Sequence, residues 1–157
     1  MKQVIVLQGI SGSGKSTFGR KLATEAKGTT CVVSADHYFE ITGTYRFDPK
    51  LLGEAHGACF KAFLEALEAR VSLIVVDNTN TRIEEVSPYF LGVQMANLGL
   101  ISEEQYAIKI VQVSCDVSVA ARRNVHNVSS SIILRMAGNI ATCQFPPWWT
   151  VEKVGQA

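Results

Sequence analysis

The amino-acid sequence predicts an α/β fold of three layers, in which a parallel β-sheet carries helices on both faces. Strand-like and helix-like segments alternate along all 157 residues, which is typical of right-handed crossovers between parallel strands. The predicted strand Ser72–Val76 is apolar after its first residue, as expected of a parallel strand that is buried on both faces. Polar clusters follow three of the predicted strands, at the sheet edge where ligands bind in such folds.

Apolar spacing and helix caps predict the elements of the first half. Gln3–Leu7 and Cys31–Ser34 are short, mostly apolar runs and are predicted strands. Lys15–Ala26 is a predicted helix because its apolar residues share one face. Asp48 is the predicted N-cap of a long second helix with Pro49 at its first position. The apolar stripe of that helix comprises Leu52, Ala55, Cys59, Phe63 and Leu67.

The second half of the chain continues the alternation. Its predicted helices begin at capping residues or at a proline, which is favoured in the first turn of a helix. In chain order, the predicted elements are the strand Ser72–Val76, a helix that begins at Ser87-Pro88 and ends near Gly99, the strand Ala107–Val113, a helix from the cap Asp116 through Arg123, a helix from Ser129 to about Ala141, and the short strand Thr150–Val154.

The composition restricts the class of protein and its partners. Apolar residues make up 47% and charged residues 18%, which favours one globular domain, residues 1–157, over a disordered chain. The apolar runs are strand-sized, so we expect no membrane-spanning segment. The net charge is +1 and no Lys/Arg block is present, so we expect no binding along a long duplex. Widely spaced cysteines and a first strand that leaves no room for a signal peptide favour a cytoplasmic setting.

The strongest motif is a phosphate-binding loop directly after the first predicted strand. Gly9–Ser16 fits the pattern Gly-x-x-x-x-Gly-Lys-Ser/Thr between a strand and a helix. Its glycines allow backbone N–H groups to converge on phosphate oxygens. We expect Lys15 to bind the β- and γ-phosphates of ATP and the Ser16 hydroxyl to hold Mg²⁺. The residues predicted to bind the nucleotide are Gly9, Ser11, Gly12, Ser13, Gly14, Lys15, Ser16 and Thr17.

Two carboxylates follow predicted strands at the same edge of the sheet. Asp36 follows the second strand, where we expect it to face the γ-phosphate and accept the proton of an attacking hydroxyl. The alternative is that Asp36 only caps a turn. Asp77 ends the third strand in a Walker-B-like position and is predicted to hold Mg²⁺ beside Ser16. The alternative for Asp77 is a cap of the following turn.

Four further residues are predicted to contact the substrate. His37 is the neighbour of the predicted base, and Asn78 and Thr79 follow the third strand. Asn78 and Thr79 could position a substrate hydroxyl or satisfy the backbone of the turn, and the sequence favours neither. Arg46 lies in the segment Ile41–Asp48, whose aromatic rings and single guanidinium suit base stacking and phosphate contact at a strand end. The alternative is an ordinary packed loop.

The segment between the last two predicted helices carries cations. Arg123 is predicted to enter the site and stabilise charge on the transferred phosphoryl group. The alternative is that Arg123 is only a cation favoured at a helix C-terminus. Arg122 is expected to be solvated, and His126 could contact a phosphate when this segment closes over the site.

Together these segments resemble the P-loop kinase domain of the polynucleotide 5′-hydroxyl kinase group. More closely, they resemble the small AAA-type ATP-binding domain related to NEDD4-binding protein 2. The resemblance covers about residues 3–142. The segments that carry it are Gly9–Thr17, Ser34–Phe39, Leu52–His56, Val75–Thr81 and Arg123–His126.

The resemblance implies a kinase with a helical lid at about residues 116–142 that uses ATP and Mg²⁺. It implies transfer of the γ-phosphate to the 5′-OH end of RNA or DNA. In this family pattern Asp36 is the general base, Lys15 binds the phosphates, and Arg123 is the lid arginine. Phe39 stands where the phage end-healing kinases carry an arginine that contacts the substrate phosphate.

Two other functions stay open at this point. A small-molecule kinase of the same fold, acting on a sugar, nucleoside or antibiotic hydroxyl, is favoured by Phe39 and by the near-neutral charge. A nucleotide-binding module that acts through a partner protein would need neither Asp36 nor Arg123. The sequence predicts no oligomeric state.

Overall fold

A computed structural model describes residues 1–40, 43–124 and 126–155, and its centre is a five-stranded parallel sheet. The strands are β1 (Lys2–Gln8), β2 (Thr30–Val33), β3 (Leu73–Asp77), β4 (Tyr106–Ser114) and β5 (Thr150–Gly155). The helices are α1 (Lys15–Glu25), α2 (Asp36–Phe39), α3 (Leu52–Glu68), α4 (Ile83–Asn97), α5 (Val117–Arg123) and α6 (Ser130–Thr142). The strand order is β2-β3-β1-β4-β5, and each neighbouring pair is parallel. The predicted parallel α/β fold is confirmed.

The order of the strands places the loop after β1 at the centre of one sheet edge. β1 lies between β3 and β4, and Leu7 is in register with Asp77 on one side and with Val111 on the other. The chain runs from β1 outward to β2 and then crosses to the other side at β4. Ligand sites of open α/β sheets lie at this reversal, outside the carboxyl ends of the strands.

One face of the sheet packs against α3 and α4. Successive side chains of a strand point to opposite faces, and Val4 and Val6 belong to the cluster that also contains α3 and α4 residues. The two helices approach each other closely at Gly92, where a Cβ atom would lie 2.9 Å from a ring carbon of Phe63. Trp149 stacks on Phe90 of α4, with ring centroids 3.8 Å apart. This face holds the larger share of the apolar core.

The opposite face packs against α1. Ile5 and Leu7 of β1 lie in a second cluster together with Phe18, Leu22 and Ala26. These three residues form the apolar face that the sequence predicts for this helix. Helices therefore cover both faces of the sheet, which confirms the predicted three layers.

The last two helices form a smaller cluster beside the loop after β1. Ile10, Ala120 of α5 and Ile133 of α6 are buried together. The Ser129 side chain accepts a hydrogen bond from the backbone N–H of Ile132, which confirms Ser129 as the helix cap. These helices occupy the interval 116–142, for which a lid is predicted.

The predicted start of the helix α4 is wrong. α4 begins at Ile83 and contains Pro88 as its sixth residue. Because Pro88 lacks an N–H, one intrahelical hydrogen bond is missing, and the Ser87 hydroxyl bonds the Ile83 carbonyl oxygen nearby at 2.8 Å. Glu85 accepts a hydrogen bond of 2.7 Å from the Thr81 N–H. The Glu85 side chain thus satisfies a backbone N–H at the start of α4, and Ser87 lies inside the helix.

Two further predictions need correction. Asp48 caps a 3₁₀ turn, Pro49–Leu51, by accepting from the Lys50 N–H at 3.0 Å, and α3 begins only after this turn. Leu52 is 41% exposed, so the buried stripe of α3 begins at Ala55 instead. The four-residue helix α2 follows β2 directly and is not among the predicted elements.

Within the described ranges, no helix is both long and apolar enough to span a membrane. The assignment of residues 1–157 to one domain and to the cytoplasm stays a prediction.

Candidate active site

The loop after β1 adopts a conformation that depends on glycine. Gly12 and Gly14 have positive φ angles of 82° and 94°, in the left-handed region that L side chains rarely adopt. A Cβ atom at Gly12 would also collide with the carbonyl oxygen of Ala120 in α5. At Gly12 the loop therefore has room for backbone only, because it lies against the helix that carries Arg123. Backbone N–H groups in such a loop are suited to bind an anion.

Lys15 opens α1 and is almost completely buried, with 8% of its surface exposed. Its Nζ donates a hydrogen bond of 3.1 Å to the Ile10 carbonyl oxygen within the same loop. Burial lowers the pKa of Lys15, although the carboxylates of Asp77 and Asp36 act in the opposite direction. The two carboxylates only partly balance the buried charge of Lys15, and this favours binding of an anion beside it. The chemistry of the loop thus fits a phosphate group.

The hydroxyl groups of the loop differ in their surroundings. The Ser13 hydroxyl is buried and has no hydrogen-bond partner in the described part of the chain. The Ser11 hydroxyl contacts the Met136 sulfur at 3.6 Å, which joins the loop to α6. Ser16 and Thr17 both face the cleft, so the predicted metal ligand Ser16 is accessible to a cation.

Hydrogen bonds lock the ends of β1 and β3 together beneath the loop. The Gly9 N–H donates to the Thr79 carbonyl oxygen at 3.1 Å. The Asn80 side chain donates to the Leu7 carbonyl oxygen at 2.7 Å, and the Gln8 side chain donates to the Asn80 carbonyl oxygen at 2.8 Å. Asn80 has a φ of 48°, which asparagine tolerates better than most residues. The phosphate loop and the Asp77 segment are therefore fixed relative to each other.

Asn78 ties the third strand to the segment that carries Asp36. Its Oδ1 accepts a hydrogen bond of 2.8 Å from the Ala35 N–H. Its Nδ2 contacts the Cys59 sulfur at 3.5 Å, and that sulfur lies 3.3 Å from the Tyr89 hydroxyl. The observed partners of the Asn78 side chain are therefore a backbone N–H and a core sulfur. Its predicted role toward a substrate stays a prediction.

The carboxylate of Asp36 faces two side chains, one nine residues away and one from the segment between α5 and α6. Asp36 begins α2, and its N–H donates to the Ser34 hydroxyl at 3.2 Å. The Tyr45 hydroxyl donates to Asp36 Oδ1 at 3.2 Å, and His126 Nε2 lies 3.9 Å from Asp36 Oδ2. The side chain of Asp36 remains 48% exposed. Asp36 lines the cleft, and its role as the base stays a prediction.

A cleft of about 580 Å³ brings together most of the predicted site residues. Those that line it are Ser11, Gly12, Gly14, Lys15, Ser16, Thr17, Asp36, His37, Asp77, Asn78, Thr79 and Arg123. Three predicted site residues do not line it. Gly9 lies beneath the loop, Ser13 is turned into the interior, and Arg46 lies outside the cleft wall. The convergence of three strand ends on one cleft agrees with the prediction from the sequence.

The predicted lid arginine stands at the edge of the cleft. Arg123 is the last residue of α5, and its guanidinium donates to the Cys115 sulfur at 3.1 Å. The side chain is long and exposed, and the Cys115 contact holds it beside the phosphate loop. Arg123 and Lys15 are thus cations that face the same space from two sides.

Several cleft residues were not among the predicted site residues. Arg20 follows Ser16 by four positions on α1 and lies on the same helix face, so helical spacing was a signal for it. Glu40 and Ser34 also line the cleft. Tyr45 lacked a specific signal, because its contact with Asp36 depends on how the segment between α2 and α3 folds. Phe39, by contrast, is only 6% exposed and packs edge-on against Phe47, so it belongs to the core.

Comparison with known proteins places this site in a family. A family model described as an AAA domain matches residues 4–131, which is most of the chain and includes the phosphate loop, Asp36, Asp77 and Arg123. The chain belongs to the AAA domain family. It is 37% identical over 136 residues to NEDD4-binding protein 2 of Homo sapiens. That match covers 85% of this chain and 7% of the human protein, so the chain spans a small part of that relative.

Solved structures share the fold at low sequence identity. A chain of the Pnkp1/Rnl/Hen1 RNA repair complex superposes with a TM-score of 0.67 and 16% identity, over 89% of this chain and 44% of that one. A gluconokinase from Sinorhizobium meliloti superposes with a TM-score of 0.58 and 17% identity, over 99% of this chain and 83% of that one. The AAA domain described here therefore has the P-loop kinase fold.

Proposed function

We propose that this AAA domain is a kinase that transfers the γ-phosphate of ATP to the 5′-OH end of RNA or DNA with the help of Mg²⁺. The observation that carries the proposal is the position of Asp36 and Lys15 in one cleft. Lys15 is the buried cation of a phosphate loop, and Asp36 is an exposed carboxylate opposite it. A module that only binds nucleotide needs the first residue and not the second.

The residues of the cleft divide the reaction between them. The phosphate loop and Lys15 hold the β- and γ-phosphates. Ser16 and Asp77 would hold Mg²⁺, which would supply positive charge against the phosphates. Asp36 accepts the proton of the acceptor hydroxyl while that oxygen bonds to the γ-phosphorus. The bond from the γ-phosphorus to the bridging oxygen breaks, and ADP leaves with its electron pair. Arg123 stabilises the charge that develops on the transferred group.

Besides Lys15 and Arg123, the cleft carries a cation that suits a nucleic-acid phosphate. Arg20 lines the cleft, as do Ser34, Asp36 and His37. Phe39 is buried and Arg46 lies outside the cleft, so neither supplies a charge there. We assign the contact with the acceptor phosphate to Arg20. A structural neighbour from an RNA repair complex supports a polynucleotide acceptor.

The second candidate function is a small-molecule kinase of the same fold. A buried Phe39, where end-healing kinases carry an arginine, favours it, as does a net charge of only +1. The likeness to a gluconokinase is a further argument for this alternative. An uncharged small-molecule acceptor has no backbone phosphate, so it needs no cation to bind one.

The test is transfer of label from γ-labelled ATP with Mg²⁺. RNA and DNA oligonucleotides with a 5′-OH are compared with the same strands that carry a 5′-phosphate. Label on the 5′-OH strands alone is the expected result, and the ratio of RNA to DNA defines the preference. If ATP binds but no strand is labelled, the polynucleotide acceptor is wrong. A panel of sugars and nucleosides, monitored by ADP release, then tests the second candidate.

A further inference from the structure

Both oxygens of the Asp36 carboxylate face a side chain from another part of the chain. We propose that Tyr45 and His126 are positioning residues that hold this carboxylate in the orientation that proton transfer needs. The inference rests on the proposed function for its catalytic meaning. Its structural content, the mutual contact of Asp36, Tyr45 and His126, stands on the geometry alone.

Tyr45 is suited to be a permanent hydrogen-bond donor. Its hydroxyl donates to Asp36 Oδ1 at 3.2 Å. Burial raises the pKa of Tyr45 far above its ordinary range, and the charges of Asp36 and Glu40 act in the same direction. The hydroxyl therefore stays a donor near neutral pH. Its ring packs edge-on against Phe39 of the core, with centroids 6.1 Å apart, which fixes the position of the donor.

His126 reaches the same carboxylate from the segment between α5 and α6. Its Nε2 lies 3.9 Å from Asp36 Oδ2, and its ring lies on the Tyr45 ring with centroids 4.0 Å apart and an interplanar angle of 30°. The backbone N–H of His126 donates to the Asn124 side-chain oxygen at 3.3 Å. The side-chain nitrogen of Asn124 in turn donates to the Val128 carbonyl oxygen. Tyr45 and His126 thus support each other as well as Asp36.

The contact has a consequence for the reaction. A carboxylate offers about four lone-pair sites. The Tyr45 hydrogen bond occupies one of them, and the His126 ring, at 3.9 Å, lies beside the other oxygen, so sites remain for the acceptor proton. General-base catalysis depends strongly on the direction of the accepting oxygen. Because His126 belongs to the predicted lid interval, the contact also joins the lid to the base.

The first experiment is independent of any acceptor. The chain has three histidines, His37, His56 and His126, so their ring-proton NMR signals can be assigned by single substitutions. We expect Tyr45→Leu to move the His126 signals downfield, since the ring current of Tyr45 is lost, and Tyr45→Phe to keep them upfield. Asp36→Asn should also shift the His126 signals, while the His56 signals stay in place. Unchanged His126 signals in both Tyr45→Leu and Asp36→Asn would overturn the proposal.

The second experiment is a double-mutant cycle on turnover. We expect Tyr45→Phe to lower kcat about tenfold while KM for ATP changes less than about twofold, because the hydroxyl acts only through Asp36. In the Asp36→Asn background, Tyr45→Phe should cause no further loss. Tyr38→Phe is the matched control: it removes a hydroxyl that donates to Glu54 at 2.7 Å, and it should leave kcat unchanged. Equal losses in both backgrounds would show a general structural effect and contradict the inference.

The outcomes separate this inference from the proposed function. If oligonucleotides are not labelled, the cycle is run on the acceptor that the panel identifies or on ATP hydrolysis, and the NMR result is unaffected. Shifted His126 signals together with a non-additive cycle on that acceptor support the positioning role and reject only the polynucleotide substrate. Unshifted signals with a labelled 5′-OH strand support the kinase and reject the positioning role.

Discussion

The amide oxygen of Asn78 accepts a hydrogen bond of 2.8 Å from the backbone N–H of Ala35. This bond joins the residue after Asp77 to the residue before Asp36, so the predicted metal ligand and the predicted base share one structural connection. Both partners are buried, with 8% and 6% of their surfaces exposed. The relative position of the two predicted functional carboxylates therefore depends in part on the Asn78 side chain, which bonds the backbone beside Asp36.

Removal of this bond should destabilise the protein. Asn78→Ala leaves the buried Ala35 N–H without its acceptor, which costs about 1–3 kcal/mol. We expect the free energy of unfolding in urea to fall by that amount, and transfer activity to fall with it. Asn139→Ala on the half-buried side of α6 is the control and should change the free energy by less than about 0.5 kcal/mol. Equal stability of the two variants would mean that the Asn78 bond is not formed in solution.

Lys15 should destabilise the ligand-free protein. Its pKa is lowered by burial, which means that the fold disfavours its charge. Lys15→Met removes this charge, and the Ile10 carbonyl oxygen still accepts from the Ser13 N–H at 3.1 Å. We expect a higher melting temperature without nucleotide and loss of the further increase that ATP causes in the wild type. Lys21→Met, on the exposed side of the same helix, should alter neither value.

Asp36 should be essential for transfer and dispensable for ATP binding. Asp36→Ala removes the proton acceptor, and general-base catalysis contributes roughly 10²–10⁴ in rate. We expect kcat to fall within that range, while calorimetry gives nearly the same affinity for ATP. Turnover at the wild-type rate would exclude Asp36 as the base. Loss of ATP binding would indicate a structural role instead.

The contact between Gly12 and α5 predicts a steric penalty. Gly12→Ala places a Cβ atom against the Ala120 carbonyl oxygen and forces alanine to a φ of 82°, which costs about 1–2 kcal/mol before any clash. We expect lower stability and weaker ATP binding. The matched change Gly57→Ala lies in α3, where a Cβ atom meets nothing within 4 Å. It should raise stability by up to about 1 kcal/mol.

Arg20 should act on the acceptor and not on ATP. If Arg20 contacts a phosphate of the acceptor strand, Arg20→Gln raises the KM for the oligonucleotide about tenfold. The slope of log affinity for the acceptor against log salt concentration should also fall by about one. The KM for ATP should stay the same. Arg46→Gln, outside the cleft, is the control. A larger effect of Arg46→Gln would restore the role that the sequence suggests for that residue.

Local patterns were sufficient for most of the secondary structure. Gly9–Ser16 was recognisable because the phosphate loop is continuous in sequence, and Ser129 because a helix cap lies next to the helix it serves. The start of α4 was not predicted correctly, since Pro88 is favoured in a first helical turn but is tolerated further along when the remaining packing compensates. The short helix α2 has too few residues for a periodic pattern.

The sequence by itself determined the parallel α/β fold, the phosphate loop and the strand ends at which polar residues would meet. Each of these follows from residues that are neighbours in the chain. Only the tertiary structure decided that Tyr45 and His126 contact Asp36, that Arg20 lines the cleft, and that Arg46 does not. The Tyr45 contact spans nine residues and the His126 contact spans ninety, and the geometry of both depends on how the connecting segments pack against the sheet.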